Sequence, residues 1–145
     1  MDVPFFGGCR CGAIRYQCSE PAVAMLKCHC RDCQRAGGAG YAPTLIVRAS
    51  SFKLLRGQPK LFSAAADSGA TARRAFCGEC GSPLFASSSA REQFIGVRAG
   101  SLDDPSAFAP QAEVWVASAQ SWDHLDPDLP AYARNRPRAS APSPS

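Results

Sequence analysis

The sequence predicts a mainly β protein of short, mostly antiparallel strands, on three observations. Apolar and polar residues alternate over strand-length runs, as in Ile14, Tyr16 and Cys18 against Arg15 and Gln17. Glycine and proline, 12 of each, punctuate the chain too often for a helical bundle or coiled coil. Of 8 cysteines, all but Cys18 fall into three tight groups, a pattern suited to tying loops together in a small domain. A length of 145 residues supports one hydrophobic core, so a single domain over residues 1–133 is expected.

Along the chain, the alternation over Gly12 to Cys18 predicts the first strand. Further strands are expected at Ala22 to Leu26, Thr44 to Arg48, Ser51 to Leu55, Lys60 to Ser63 and Thr71 to Phe76. Leu84 to Ser87, Gln93 to Ala99 and Glu113 to Ser118 complete the set. Turn residues such as Gly57-Gln58-Pro59 and Asp103-Asp104-Pro105 separate them. Arg31 to Ala36 predicts a short helical turn that Gly37-Gly38 stops. After Tyr132 the composition turns to Pro, Ser, Ala and Arg, and residues 134–145 are expected to form a flexible tail.

The cysteines occur as Cys9-Arg10-Cys11-Gly12, as Cys28-His29-Cys30-Arg31-Asp32-Cys33, and as Cys77-Gly78-Glu79-Cys80-Gly81. The first and last are close pairs followed by glycine, which lets the backbone curl so that both sulfurs face one ion. Together they supply the four thiolates of a closed, tetrahedral zinc site, with Cys9, Cys11, Cys77 and Cys80 expected to tie the N-terminal strand to a strand about 70 residues later. The middle group offers three ligands, Cys28, Cys30 and Cys33, and leaves a fourth position open, as in zinc sites that bind or transform a substrate. Cys18 or His29 would alternatively close that site. His29 points away if Cys28 and Cys30 converge from an extended segment, and Cys18 on an apolar strand face reads as a small buried hydrophobe. A framework of disulfides, or a thiol redox site at Cys77-Gly78-Glu79-Cys80, would also use these cysteines, but neither an export signal nor a strand-helix-strand unit accompanies them.

Charge and hydropathy narrow the partners. The formal net charge is +4, but Arg134, Arg136 and Arg138 lie in the acid-free tail, leaving +1 over residues 1–133. Seven thiolates on two zinc ions would bring that body to about −2, which argues against nucleic-acid binding through bulk charge. No apolar run is long enough for a membrane helix, and Met1 to Phe6 lacks the regions of a signal peptide, so a soluble cytoplasmic protein is expected.

At these residues the chain resembles the glutathione-dependent formaldehyde-activating enzyme family, which includes the centromere-protein-V-like proteins. The resemblance runs from Gly8-Cys9-Arg10-Cys11-Gly12-Ala13-Ile14-Arg15-Tyr16 through Cys28-His29-Cys30-Arg31-Asp32-Cys33-Gln34-Arg35 to Arg74-Ala75-Phe76-Cys77-Gly78-Glu79-Cys80-Gly81-Ser82-Pro83-Leu84. Ala99-Gly100-Ser101-Leu102-Asp103-Asp104-Pro105 and Trp122 extend it. The resemblance implies a compact Mss-four-like zinc-binding fold of several small antiparallel sheets, with two zinc ions per chain. Cys9, Cys11, Cys77 and Cys80 match the structural-zinc cysteines, and Cys28, Cys30 and Cys33 match the catalytic-zinc cysteines. One departure is Ala112-Glu113-Val114-Trp115, where many relatives carry a histidine.

The implied activity is that of a carbon-sulfur lyase-type enzyme, combining formaldehyde or a similar small electrophile with the thiol of glutathione to give S-(hydroxymethyl)glutathione. A zinc-bound thiol is deprotonated outright, so preparing the nucleophile is preferred over polarising the aldehyde at a site already carrying three thiolates. Arg31 and Arg35 flank the open cluster, and Arg73 and Arg74 precede Cys77; each pair is either a substrate-carboxylate contact or a solvated surface. Asp32 orients ligands or caps the following turn. Trp115 and Trp122 read as core or rim packing, and His124 as a surface residue. Two further function classes stand beside this one: a noncatalytic zinc-stapled binding module using the basic tail, and an enzyme of the same scaffold acting on a different thiol adduct.

Overall fold

The computed structural model describes residues 1–66 and 68–137. Its strands are β1 (Phe5–Gly8), β2 (Arg15–Cys18), β3 (Ala24–Cys28), β4 (Ala42–Arg48) and β5 (Phe52–Arg56), then β6 (Lys60–Ala65), β7 (Thr71–Phe76), β8 (Pro83–Ser88), β9 (Phe94–Arg98) and β10 (Ala112–Val114). One short helix, α1 (Arg31–Gly37), lies between β3 and β4. The protein is mainly β, as the alternation predicts, and the strands gather into two sheets. The smaller has the order β1-β2-β5; the larger runs β10-β3-β4-β9-β8-β7-β6. All pairs are antiparallel except β10 on β3.

The small sheet packs on the large one through the residues that alternation marks. Tyr16 and Cys18 of β2 are fully buried against Leu45 and Val47 of β4, Leu84 of β8 and Val97 of β9. An aromatic series crosses the junction, with the Tyr16 and Phe52 rings 5.2 Å apart and Phe52 and Phe85 4.7 Å apart. At Gly7 an added Cβ would collide with the Tyr16 hydroxyl and the Ser101 carbonyl, so β1 reaches its place only because that residue has no side chain.

Three segments differ from the sequence-based expectation. β1 is an additional strand; it lacks period-2 alternation and is held by pairing Phe5 to Gly8 with Cys18 to Arg15. The strand expected over Glu113 to Ser118 ends at Val114, because Trp115 turns left-handed (φ 59°) and Val116–Ser118 forms a 3-10 turn. The C-terminal segment then returns along β10: Glu113 N–H donates to Pro130 O at 2.9 Å and Tyr132 N–H to Glu113 O at 2.9 Å. Contacts continue past the expected boundary at residue 134, since the Arg134 guanidinium lies over the Trp115 ring and Trp115 Nε1 donates to Asn135 Oδ1 at 2.9 Å. The remainder of the expected tail, 138–145, lies outside the described residues. Among the described residues no helix is long and apolar enough to cross a membrane.

Candidate metal centres and a neighbouring cavity

Four cysteines from two distant loops meet at one point. Cys9 and Cys11 curl just before β2, Cys77 and Cys80 occupy the turn between β7 and β8, and their four sulfurs lie within 4.8 Å of one another. Gly12 and Gly81, at φ 80° and 78°, take the left-handed conformation that closes each loop. Main-chain N–H groups already face the sulfurs, Ile14 N–H donating to Cys9 Sγ at 3.2 Å and Glu79 N–H to Cys77 Sγ at 3.4 Å. The Ser82 hydroxyl and then its main chain hold the Cys80 thiol down at about 5. Four soft sulfur donors in a cluster this tight suit a tetrahedral zinc ion.

Cys28, Cys30 and Cys33 form the second group, again with all sulfurs within 4.8 Å. Cys28 ends β3, and Cys30 caps α1, its sulfur accepting from Cys33 N–H at 3.3 Å. Hydrogen bonds from Cys28 and then Cys30, aided by Arg98 and Arg74, pull the Cys33 thiol down to about 2, while its neighbours' hydrogen bonds push Cys28 upward. The Arg74 guanidinium donates to the Cys33 sulfur at 3.9 and 4.0 Å. Arg98 donates to Thr44 Oγ1 at 2.6 Å; burial lowers its pKa, and the charge on Cys33 opposes the shift.

Neither Cys18 nor His29 joins this group as a fourth ligand. Cys18 is sealed in the core, where burial pushes its thiol up to about 12. His29 is fully buried and turned from the sulfurs, its Nε2 hydrogen-bonded to Glu113 Oε1 at 3.1 Å. A cavity of about 610 Å³ is lined by Cys9 of the four-cysteine group together with Arg10, Arg15, Tyr41, Arg98 and Asp103. Ala42, which also lines it, is the register partner of Cys28.

A match to the family described as glutathione-dependent formaldehyde-activating enzyme covers residues 4–118, a span that contains both cysteine groups. The chain belongs to the glutathione-dependent formaldehyde-activating enzyme family. Among solved structures, a Rhodobacter sphaeroides protein crystallised as a structural-genomics target is similar at a TM-score of 0.58 with 19% identity, covering 88% of this chain and 98% of that one. That likeness shows the fold that this member of the formaldehyde-activating family adopts.

The residues flanking the clusters sort by position. Arg31 and Arg35 are exposed on α1, and Arg73 lies 3.8 Å from Glu92. Arg74 is the member of these pairs that reaches a cysteine of the second group. Asp32 is an exposed first-turn residue of α1, His124 is exposed, and Trp122 is 66% exposed rather than packed. Sequence reasoning passed over Arg98, which sits at the end of β9 far from any cysteine motif, and it left Glu113 without a role. Glu113, the residue at the departure from the family pattern, is fully buried beside His29 and Lys27.

Proposed function

We propose that this family member is a zinc-dependent carbon-sulfur lyase-type enzyme that joins formaldehyde to glutathione, forming S-(hydroxymethyl)glutathione. The observation that carries the reading is the three-cysteine group: three converging sulfurs, no fourth cysteine or histidine joining them among the described residues, and arginines at their side. In this reading Cys9, Cys11, Cys77 and Cys80 hold a structural zinc and Cys28, Cys30 and Cys33 hold a second, substrate-facing zinc, within a working domain of residues 1–133. The metal supplies a positive centre that keeps a substrate thiol deprotonated.

The protein's own residues do the rest. Arg98 and Arg10, both lining the cavity, offer planar donors for the two carboxylates of glutathione, whereas Arg15 is already engaged by Asp103. A cavity of about 610 Å³ accommodates a tripeptide. Within it the thiolate sulfur adds to the formaldehyde carbon: the carbon-sulfur bond forms, the carbonyl π pair moves to oxygen, and that oxygen takes the proton the thiol gave up. Holding both reactants against one wall converts a bimolecular encounter into a positioned one. Reduced cysteines in this number suit the cytoplasm, the compartment of this reading.

The test is metal content and turnover in the wild type and in Cys30→Ser. Two zinc ions per chain, one of them lost in the variant together with at least a hundredfold of glutathione-dependent formaldehyde consumption, is the expected result. Undiminished turnover after loss of the second zinc would overturn the mechanism.

A further inference from the structure

We propose that Glu113 and Asp123 clamp His29 between them and thereby hold Cys28, Cys30 and Cys33 in ligating geometry; this rests on the reading that those cysteines bind zinc. His29 stands between two of the cysteines, and in an extended segment alternate side chains face opposite sides. Fixing the imidazole on one side therefore aims the Cys28 and Cys30 sulfurs to the other.

The centre of the clamp is sealed from water, while Asp123 at its edge is partly exposed. Glu113 and His29 are both fully buried, and a carboxylate in such a place is costly unless paired. Glu113 Oε1 lies 3.1 Å from His29 Nε2 and 3.5 Å from Lys27 Nζ, while Oε2 accepts from Asp126 N–H at 2.7 Å. On the opposite edge of the ring, Nδ1 lies 3.1 Å from Asp123 Oδ2. The two atoms meet without forming a hydrogen bond, and neither has another hydrogen-bond partner among the described residues. Asp123 is wedged against Gly40, where an added Cβ would come within 2.6 Å of Oδ2.

The clamp also reaches the third cysteine. The main-chain N–H of His29 donates to Val114 O at 2.9 Å, locking it to β10, and Gln34 Nε2 of α1 donates both to His29 O at 2.8 Å and to Ser118 O at 2.9 Å. Through His29, then, the end of β3, the helix carrying Cys33 and the C-terminal segment share one anchor. None of these hydrogen bonds involves the four-cysteine group, which supplies a reference site inside the same molecule.

Zinc release to a chromogenic chelator, followed with far-ultraviolet circular dichroism, tests the clamp in Glu113→Ala, Glu113→Gln and Gly40→Ala. Glu113→Gln keeps an acceptor for His29, and Gly40→Ala displaces Asp123 while leaving Glu113 intact. Loss of such a ligand-orienting partner is expected to release one zinc roughly 10- to 100-fold faster while the other keeps its wild-type rate, with Glu113→Gln intermediate. Unchanged release of both zincs, or faster release of both in step with lost β structure in all three variants, would overturn the clamp alone. A wild-type chain that binds a single zinc would overturn both the clamp and the metal assignment beneath it.

Discussion

Tyr16 places its hydroxyl where no water reaches, and it shares a 2.6 Å hydrogen bond with Ser101 Oγ, which in turn donates to Arg98 O at 2.7 Å. Tyr16→Phe is therefore expected to cost about 1–2 kcal/mol in urea denaturation, the usual loss when a buried hydrogen bond is removed. Gly7→Ala is harsher, because the Cβ meets both that hydroxyl and a main-chain oxygen; a loss of roughly 2–3 kcal/mol or failure to fold is expected. The Arg15 guanidinium grips Asp103 through two hydrogen bonds, at 2.8 and 2.5 Å, and holds its carboxyl below the ordinary range. A carboxyl lowered by folding stabilises above its unfolded value, about 4, and loses that contribution as pH falls through its folded value. With Asp103 about half exposed, solvent keeps the pair under about 1 kcal/mol. The difference in urea midpoint between wild type and Asp103→Asn should be present at pH 7 and shrink below about pH 4.

At the scale of elements, α1 is too short to stand alone and depends on its ends. Its N-terminus is capped by a cysteine sulfur and its C-terminus by Gly38 in the left-handed region (φ 73°), whose N–H returns to Gln34 O at 2.8 Å. Gly38→Ala should cost about 1 kcal/mol by forcing a Cβ into that conformation. Because Cys33 rides on this helix, the same variant should release zinc from the three-cysteine group faster than from the four-cysteine group, as a chelator titration would read. β10 shows the opposite dependence: three residues long and fully buried, it exists because β3 pairs with it on one side and residues 130–132 on the other.

For the whole molecule, the four-cysteine group joins a loop preceding β2 of the small sheet to a turn between β7 and β8 of the large one. Metal held there would close the junction that the Tyr16, Phe52 and Phe85 rings fill. Binding energy at such a site is folding energy, so chelation or Cys77→Ser should unfold the sheets together. A single cooperative loss of circular dichroism is the expected signal. Cys30→Ser, which touches only the end of β3 and α1, should leave that transition near its wild-type midpoint.

Local patterns were legible in the amino-acid order because their physics is local. Alternation in Ile14, Tyr16 and Cys18 reports a strand with one face in the core, and cysteines spaced to bend around one ion declare themselves within six residues. β1 escaped notice because Phe5-Phe6-Gly7-Gly8 holds its place by fitting under Tyr16, and the early end of β10 because Trp115 turns against a segment that returns from residue 134. The sequence by itself determined the mainly β class, both sulfur clusters and the family. Only the tertiary structure decided which charged groups stand beside the second cysteine group and its histidine: Arg74 at the Cys33 sulfur, and Glu113 and Asp123 on His29. Those partners lie far along the chain, and electrostatic contacts depend on distance in space, which burial and sheet order set.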